Sequence, residues 1–271
     1  MPLRILPAAG TMEPDAKMTI NDTTPKMSWW NRLAHPGQFV IWTRPLLWPL
    51  AVLTALLFVA GLWFAFFNSP ADYQMGDTVR IMYVHVPTAW LSQFVYGAMA
   101  VSALGTLVWR HPMADVSMKA AAPMGAVFTA MALFTGSLWG RPTWGTFWEW
   151  DGRMTSTLIM LFIYLGIVAL WRAFDDQLRA ARIVAIFTLV GAVNVPIIKF
   201  SVDWWSTLHQ PASVFRADGP TMPGSILTPL FIMFFAFTFL FITLQLLAMH
   251  TEVRRRRVMT LERKAARGDA R

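Results

Sequence analysis

Apolar residues in this chain gather into six long runs, with polar residues and prolines between them. Each run holds about 20 residues, the length that a helix needs to cross a hydrocarbon core of roughly 30 Å. The pattern therefore predicts an all-α polytopic membrane protein with six transmembrane helices. The runs are about Pro45–Phe67, Thr88–Val108, Ala120–Leu138, Thr155–Trp171, Ile183–Ile198 and Gly224–Met249.

The segments outside these runs divide the chain into three parts. Residues 1–44 form a polar, proline-interrupted arm that we predict to be partly disordered, and we see no signal-peptide pattern in it. Residues 45–249 form the membrane domain, and residues 250–271 form a basic tail. Three loops of the membrane domain, 68–87, 139–154 and 199–223, hold the candidate chemistry.

Composition supports a membrane protein and narrows the chemistry. The chain is 56% hydrophobic and only 14% charged, whereas an average soluble domain has roughly 25% charged residues. It has no cysteine, so it forms no disulfide and offers no thiolate ligand of its own. Histidine is then the main candidate for binding a soft metal centre.

Basic residues follow the predicted topology. Of the 23 Lys and Arg residues, 18 fall on the side that holds both termini, and the positive-inside rule makes that side cytoplasmic. The net charge of +8 could also suggest nucleic-acid binding. We favour membrane topology, in which Arg254–Arg257 is a stop-transfer anchor near anionic lipid, and we expect no nucleic-acid partner.

The same topology sorts the five histidines. His35, His111 and His250 fall on the cytoplasmic side, whereas His85 and His209 fall in outer loops. Both outer histidines belong to a His-x-Pro pattern, which predicts that each lies just before the start of a helix. An outer-loop histidine can also be simply solvated or a hydrogen-bond partner, and this alternative stays open.

The loop Trp139–Asp151 reads WGRPTWGTFWEWD and is unusually rich in indole rings. Tryptophan near a membrane surface often serves only as an interfacial belt, but a belt does not need the glycines, proline and acids found here. We predict a short amphipathic helix between Pro142 and Gly152 that presents Trp144 and Trp148 on one face. For Asp151 and Glu149, orienting or capping roles are favoured over acid catalysis.

Two neutral imidazoles beside an aromatic surface match the needs of an iron porphyrin. The iron takes two axial nitrogens, and the macrocycle needs a dry aromatic surface. We therefore predict that His85 and His209 ligate a metal at the centre of a flat ligand. Six residues of the loop Trp139–Asp151, which we call the Trp-rich segment, would contact that ligand: Trp139, Trp144, Phe147, Trp148, Trp150 and Asp151.

Three motifs occur in an order that resembles a known family. WGRPTWGTFWEWD, together with RIMYVHVPTAW (Arg80–Trp90) and SVDWWSTLHQPAS (Ser201–Ser213), is similar to the haem exporter protein C (CcmC) family of the cytochrome c maturation system. The resemblance covers about residues 38–250. Phe147 departs from the pattern, because Trp or Tyr is expected there.

The resemblance implies a function without catalysis by this chain. Such proteins bind haem b non-covalently at the periplasmic face of the bacterial inner membrane and pass it to a CcmE-like haem chaperone. Their partners include CcmA/CcmB-like ABC transporter subunits and a CcmD-like small membrane protein. Arginine suits the haem propionates, and the candidates are Arg80, Arg141, Arg153 and Arg216. This chain has no Walker A motif, so we expect no ATP hydrolysis.

Two other functions compete with this interpretation. A b-type cytochrome that transfers electrons also needs two histidine ligands, but it usually holds them within spans. A permease would place charged residues or broken helices at mid-membrane, and the spans offer little beyond Asn194 and Pro196. We expect those two residues to mark a kink that a neighbouring helix relieves.

Overall fold

A computed structural model describes residues 34–205, 207–210, 213–214 and 216–268. The described chain is helical, and its nearest approach to a strand is an isolated bridge between Asp72 and Gly76. Most of the predicted amino-terminal arm, residues 1–33, lies outside the described residues. The helices are α1 (Pro36–Trp63), α2 (Met82–Leu107), α3 (Ala114–Trp144), α4 (Gly152–Ala173), α5 (Gln177–Gly191), α6 (Asn194–Trp204) and α7 (Gly224–Ala266).

Five stretches of the described chain are long and apolar enough to cross a membrane. They are Pro36–Asn68, Ala114–Trp144, Gly152–Ala173, Gln177–Trp204 and Gly224–Ala266. These stretches agree with five of the six predicted spans, and the helical class is confirmed. The first begins earlier than expected, because Pro36 takes the first turn of α1 and Pro45 and Pro49 lie inside it.

The second predicted span, about Thr88–Val108, corresponds to α2, which is a helix of 26 residues but is not among these five stretches. Its side chains pack against α3, α5 and α7, and Tyr96 and Met99 are fully buried. The Tyr96 hydroxyl donates to the Thr188 carbonyl of α5 at 3.0 Å. The buried face of α2 holds polar residues such as Thr88 and Ser92, which lipid would disfavour, whereas Val101 on another face is exposed. That α2 spans the membrane remains a prediction.

The Trp-rich segment folds differently from our expectation. We predicted a separate short helix from Pro142 to Gly152, and this is wrong. Helix α3 continues through Pro142 to Trp144 and ends at Gly145, whose φ of 79° is left-handed and suits glycine. The residues from Thr146 to Trp150 have no helical structure, and Asp151 is the N-cap of α4.

The predicted kink in the fifth span is confirmed. Helix α5 ends at Gly191, and α6 begins at Asn194 after a two-residue turn. The Asn194 amide donates to the Ser156 carbonyl of α4 at 2.8 Å. A neighbouring helix therefore satisfies the polar side chain at the break.

The start of α1 and the far part of α7 lie at one end of the helix bundle. The Thr43 hydroxyl and the His250 Nε2 are 2.6 Å apart, and His250 is buried. Helix α7 continues beyond the predicted boundary at Met249 as far as Ala266. Since successive long helices run in opposite directions, the loops around His85 and His209 lie at the other end.

Candidate functional site

His85 and His209 line the same cavity, although 123 intervening residues separate them along the chain. His85 belongs to the first turn of α2, and His209 lies in the loop that follows α6. The cavity has a volume of about 370 Å³ and is formed by α2, α3, α4, α6 and that loop. This volume falls at the lower end of the range for small-molecule sites, roughly 300–1,000 Å³.

A carbonyl oxygen of α3 decides the tautomer of His85. The Nδ1 atom lies 3.0 Å from the Ala132 carbonyl oxygen and 3.2 Å from the Thr135 hydroxyl. A carbonyl can only accept, so Nδ1 carries the proton and donates it. The Nε2 atom then keeps its lone pair and has no hydrogen-bond partner among the described residues.

The Asp151 carboxylate decides the tautomer of His209 in the same way. Its Oδ2 lies 2.9 Å from His209 Nδ1 and also accepts a hydrogen bond from the Thr207 hydroxyl. Its Oδ1 accepts from the Met154 backbone amide at 2.7 Å, which caps α4. The predicted orienting and capping roles of Asp151 are thus both confirmed, and Nε2 of His209 is left as a free acceptor.

Both imidazoles are kept neutral. Burial lowers the pKa of His85 to about 4, and the nearby His209 adds to this shift. Burial also lowers the pKa of His209, although the Asp151 carboxylate opposes the shift. Burial alone would raise the pKa of Asp151, but hydrogen bonds from Thr207 and Met154 outweigh it and the pKa is lowered. A carboxylate paired with a neutral imidazole is the usual support of a metal-binding histidine.

The helix starts predicted from the two His-x-Pro patterns are wrong. His85 and Pro87 both lie inside α2, because the 3-10 turn Asp77–Ile81 leads directly into that helix. After His209, no helix begins within the described residues before Gly224. Burial is the main cause of the lowered pKa of both rings, and the acceptors Ala132 and Asp151 oppose it while they fix the Nδ1 protons.

Two glycines make room for aromatic rings at the site. A Cβ added to Gly136 of α3 would lie 2.9 Å from Cε1 of His85. One added to Gly152 would lie 3.0 Å from the Trp205 ring. Real Cβ atoms do not approach that closely, so the ring of His85 sits where it does because residue 136 has no side chain.

The Trp-rich segment contacts the histidines without lining the cavity. The Trp139 ring meets His85 edge-on with a centroid distance of 5.7 Å, and the Trp144 ring meets His209 at 4.7 Å. Trp148 and Trp150 pair with each other at 5.3 Å. Trp150 is 73% exposed. The segment therefore supports both histidine rings from one side and offers an exposed aromatic surface on the other.

Of the four candidate arginines, the structure brings Arg153 to the cavity. Arg80 pairs with Asp77 at 2.8 Å, and Arg141 lies over the Phe147 ring at 5.4 Å. The Arg216 guanidinium lies 3.9 Å from Asp218. These three arginines face other partners, and none of them lines the cavity.

Several residues of the cavity were not among the predicted site residues. Lys199 and Asp203 line the cavity, as do Trp90 and Gln93. The helical spacing of several cavity residues in the sequence could have predicted that they share a face with His85. Residues 85, 89 and 93 recur every four positions on one face of α2, and 199 and 203 do so on α6.

The arrangement provides two Lewis-base nitrogens at one cavity. Each nitrogen is the free Nε2 of a neutral imidazole whose Nδ1–H is held by a fixed acceptor. Arg153 and Lys199 add positive charge, which Asp203 partly offsets. Such a site suits a metal that needs two protein nitrogens and carries anionic groups of its own.

Comparison with known proteins gives one consistent family. The model of a family described as Heme exporter protein C matches residues 29–264 of this chain. The matched range includes the whole cavity and all of the described helices except the last two residues of α7.

Individual relatives agree with this match over most of their length. The Heme exporter protein C of Bradyrhizobium diazoefficiens is 60% identical over 230 residues, which cover 85% of this chain and 87% of that protein. That of Escherichia coli K12 is 45% identical over 213 residues, covering 79% and 83%. A putative cytochrome c biosynthesis ccmC-like mitochondrial protein of Marchantia polymorpha is 47% identical over 188 residues, covering 69% and 78%.

Proposed function

Since the chain belongs to the haem exporter protein C family, we propose that its cargo is haem b bound through Nε2 of His85 and His209. The protein is a haem-handling component of cytochrome c maturation. In our proposal it presents haem at the periplasmic face of the inner membrane. It then passes the haem to a CcmE-like chaperone.

The observation that carries this proposal is the pair of free Nε2 atoms at one cavity. A haem iron already has four nitrogen ligands from the porphyrin and takes two axial ligands from the protein. The two histidines have the required protonation state, because Ala132 and Asp151 hold their Nδ1–H groups. A site prepared in this way loses little free energy in ordering its ligands when haem enters.

The surrounding residues fit the rest of a haem molecule. Trp90 lines the cavity and supplies an apolar ring. Arg153 and Lys199 lie on its wall and would pair with the propionates. Asp203 also lines the cavity, where it would limit the net positive charge and so favour release over permanent retention. Arg80, Arg141 and Arg216 remain sequence-based candidates for the same role.

The exposed aromatic residues suit the hand-over to a partner. Phe147 is more than half exposed and Trp150 is about three-quarters exposed, at the same end of the bundle as the two histidines. Aromatic residues are enriched where proteins bind one another. We propose that this surface meets the haem chaperone. CcmA/CcmB-like ABC transporter subunits and a CcmD-like protein would associate elsewhere, and the chain would catalyse no reaction.

One observation favours the alternative of a b-type electron-transfer protein. His85 lies within α2, and the cavity reaches between four helices, as in proteins that keep their haem. His209, however, lies in a loop beside exposed rings. The two functions differ in a simple assay: an electron-transfer protein would be reduced by a quinol at a useful rate and would retain its haem when mixed with the chaperone.

The test is the absorption spectrum of the purified protein reconstituted with haem. The wild type should show a six-coordinate, low-spin spectrum. His85→Ala and His209→Ala should each become high-spin and bind haem on the order of 10- to 100-fold more weakly, because an axial ligand is lost.

His35→Ala is the matched control, since His35 is exposed at the other end of the bundle and should leave the spectrum unchanged. Wild-type spectra from both cavity variants would show that the ligands are other residues. In that case the Trp-rich segment would be an interface for a protein partner.

A further inference from the structure

A second cavity lies at the end of the bundle opposite the two histidines. Its volume is about 390 Å³, and it is formed by α3, α4, α7 and the turn between α4 and α5. We call it the basal cavity. Its polar lining includes Lys119, Arg172, Asp175, Gln177 and Arg255.

Two cations of the basal cavity are left nearly unpaired. Arg172 has no ion-pair or hydrogen-bond partner within the described chain. Arg255 approaches Glu252 no closer than 3.8 Å, and its side chain is 60% exposed. At such an exposed site this contact contributes little. The carboxylate of Asp175 balances only one of these charges, so the cavity is positive.

Lys119 is a fixed part of the wall. Its Nζ donates to Glu252 at 2.8 Å and to Gln177 at 2.9 Å. It also lies 5.2 Å from the centroid of the Trp171 ring. The network ties α3, α5 and α7 together, and it leaves the two arginines as the groups free to bind an anion.

Trp171 adds an aromatic ring to this wall. The residue is 5% exposed, and its Nε1 atom is buried without a hydrogen-bond acceptor among the described residues. Buried donors normally have partners, but this Nε1 is not accessible from the cavity, so Trp171 contributes its ring to the wall.

The remaining lining of the basal cavity is apolar. Pro123 and Val168 lie one turn deeper than Lys119 and Trp171, inside two of the apolar stretches. Met259 of α7 also lines the cavity, one turn beyond Arg255. Along α3 and α4 the lining thus changes from charged to apolar in the direction of the membrane interior, as a phospholipid does from headgroup to acyl chain.

We propose that the basal cavity binds the phosphate of an anionic phospholipid between Arg172 and Arg255. Basic pockets between transmembrane helices are common sites for such headgroups. A free phosphate shares the headgroup chemistry, but it would leave Pro123, Val168 and Met259 uncovered. The apolar lining therefore favours the lipid. The proposal does not depend on haem, because the two cavities lie at opposite ends of the bundle.

The experiment is a lipid titration of the full-length, haem-free protein in detergent, followed by native mass spectrometry. The probes are phosphatidylglycerol, phosphatidylcholine with the same acyl chains, and inorganic phosphate. Phosphatidylglycerol should bind most tightly. Replacing both Arg172→Gln and Arg255→Gln should weaken its binding roughly 10- to 30-fold, because each cation near an anionic headgroup strengthens binding severalfold.

The matched control replaces Arg182→Gln and Arg257→Gln together. Both of these arginines are exposed at the same end of the bundle and neither lines the cavity, so the lost charge is identical. Equal weakening in the two double variants would overturn the proposal in favour of general charge attraction, and so would no weakening in either. If inorganic phosphate binds as tightly as the lipid, the ligand is a soluble anion and the lipid assignment fails.

Discussion

At the scale of single residues, the preparation of two imidazoles is the central feature of this protein. Neither histidine relies on its own sequence neighbours for its tautomer. His85 uses a carbonyl of α3, and His209 uses the carboxylate that also caps α4. The Ala132 carbonyl and the Asp151 carboxylate therefore matter as well as the histidines, since a change in either acceptor would alter the basicity of the imidazole that it holds.

Asp151→Asn tests this support without breaking the helix cap. Asn is as good an N-cap as Asp, so α4 should begin normally. The hydrogen bond to His209 becomes weaker and uncharged, so the imidazole becomes a poorer donor to iron. We expect the haem midpoint potential to rise and haem affinity to fall roughly 10- to 100-fold, measured by spectroelectrochemistry and haem titration.

The matched control for that change is Asp203→Asn, which removes one negative charge from the same cavity without touching His209. A potential that rises equally in both variants would mean that net charge alone matters. Asp151→Ala should bind haem as weakly as Asp151→Asn and also lose about 0.5–2 kcal/mol of stability with the cap.

At the scale of elements, the two histidines and the groups that support them lie near the ends of helices. Helix α2 supplies His85 near its start, α3 supplies supporting groups in its last turns, and α4 begins at the residue that orients His209. The left-handed Gly145 stops α3 and lets the chain turn back toward Asp151. Close approach of α2 and α3 at Gly136 completes the arrangement.

Gly136→Ala tests whether haem binding can be weakened without a loss of helix stability. Alanine stabilises a helix interior by about 0.5–1 kcal/mol relative to glycine, so the fold should persist or gain stability. The new Cβ would meet His85 Cε1 at 2.9 Å, so the ring must shift. We expect partial loss of the low-spin spectrum and about tenfold weaker haem binding, with unchanged helical circular dichroism.

Gly97→Ala is the control, because a Cβ at that position of α2 meets nothing within 4 Å. It should leave both spectrum and affinity intact. An unaltered haem spectrum in Gly136→Ala would show that the His85 ring tolerates displacement and is less constrained than its packing indicates.

At the scale of the whole molecule, the bundle separates two chemistries. One end holds neutral histidines and exposed aromatic rings. The other end holds ion pairs such as Arg256–Asp115 at 2.7 Å and Lys119–Glu252 at 2.8 Å, followed by the basic extension of α7. Such a division favours a fixed orientation in the membrane.

The absence of cysteine makes this orientation directly testable. Single cysteines at Tyr73 and Trp109 would flank α2, and one at Arg263 would mark the end of α7. All three positions are exposed. A membrane-impermeant maleimide should label Tyr73→Cys in intact cells, and Trp109→Cys and Arg263→Cys only after permeabilisation. Labelling of Tyr73→Cys and Trp109→Cys from the same side would show that α2 does not cross.

Local patterns in the sequence determined the helical membrane class, the positions of five apolar stretches, the kink at Asn194 and the separation of His85 and His209 from the other histidines. These features depend on properties of contiguous residues, such as run length, charge and proline content, and they can be read without knowing which helices touch. The Trp-rich segment was located for the same reason.

Only the tertiary structure decided which groups meet. It selected Arg153 from four arginines, added Lys199 and Asp203, and provided Ala132 and Asp151 as acceptors for the two imidazoles. It also continued α3 through Pro142, where local rules predicted a helix start. The contacts join helices that are distant in sequence, so no pattern of neighbouring residues specifies them.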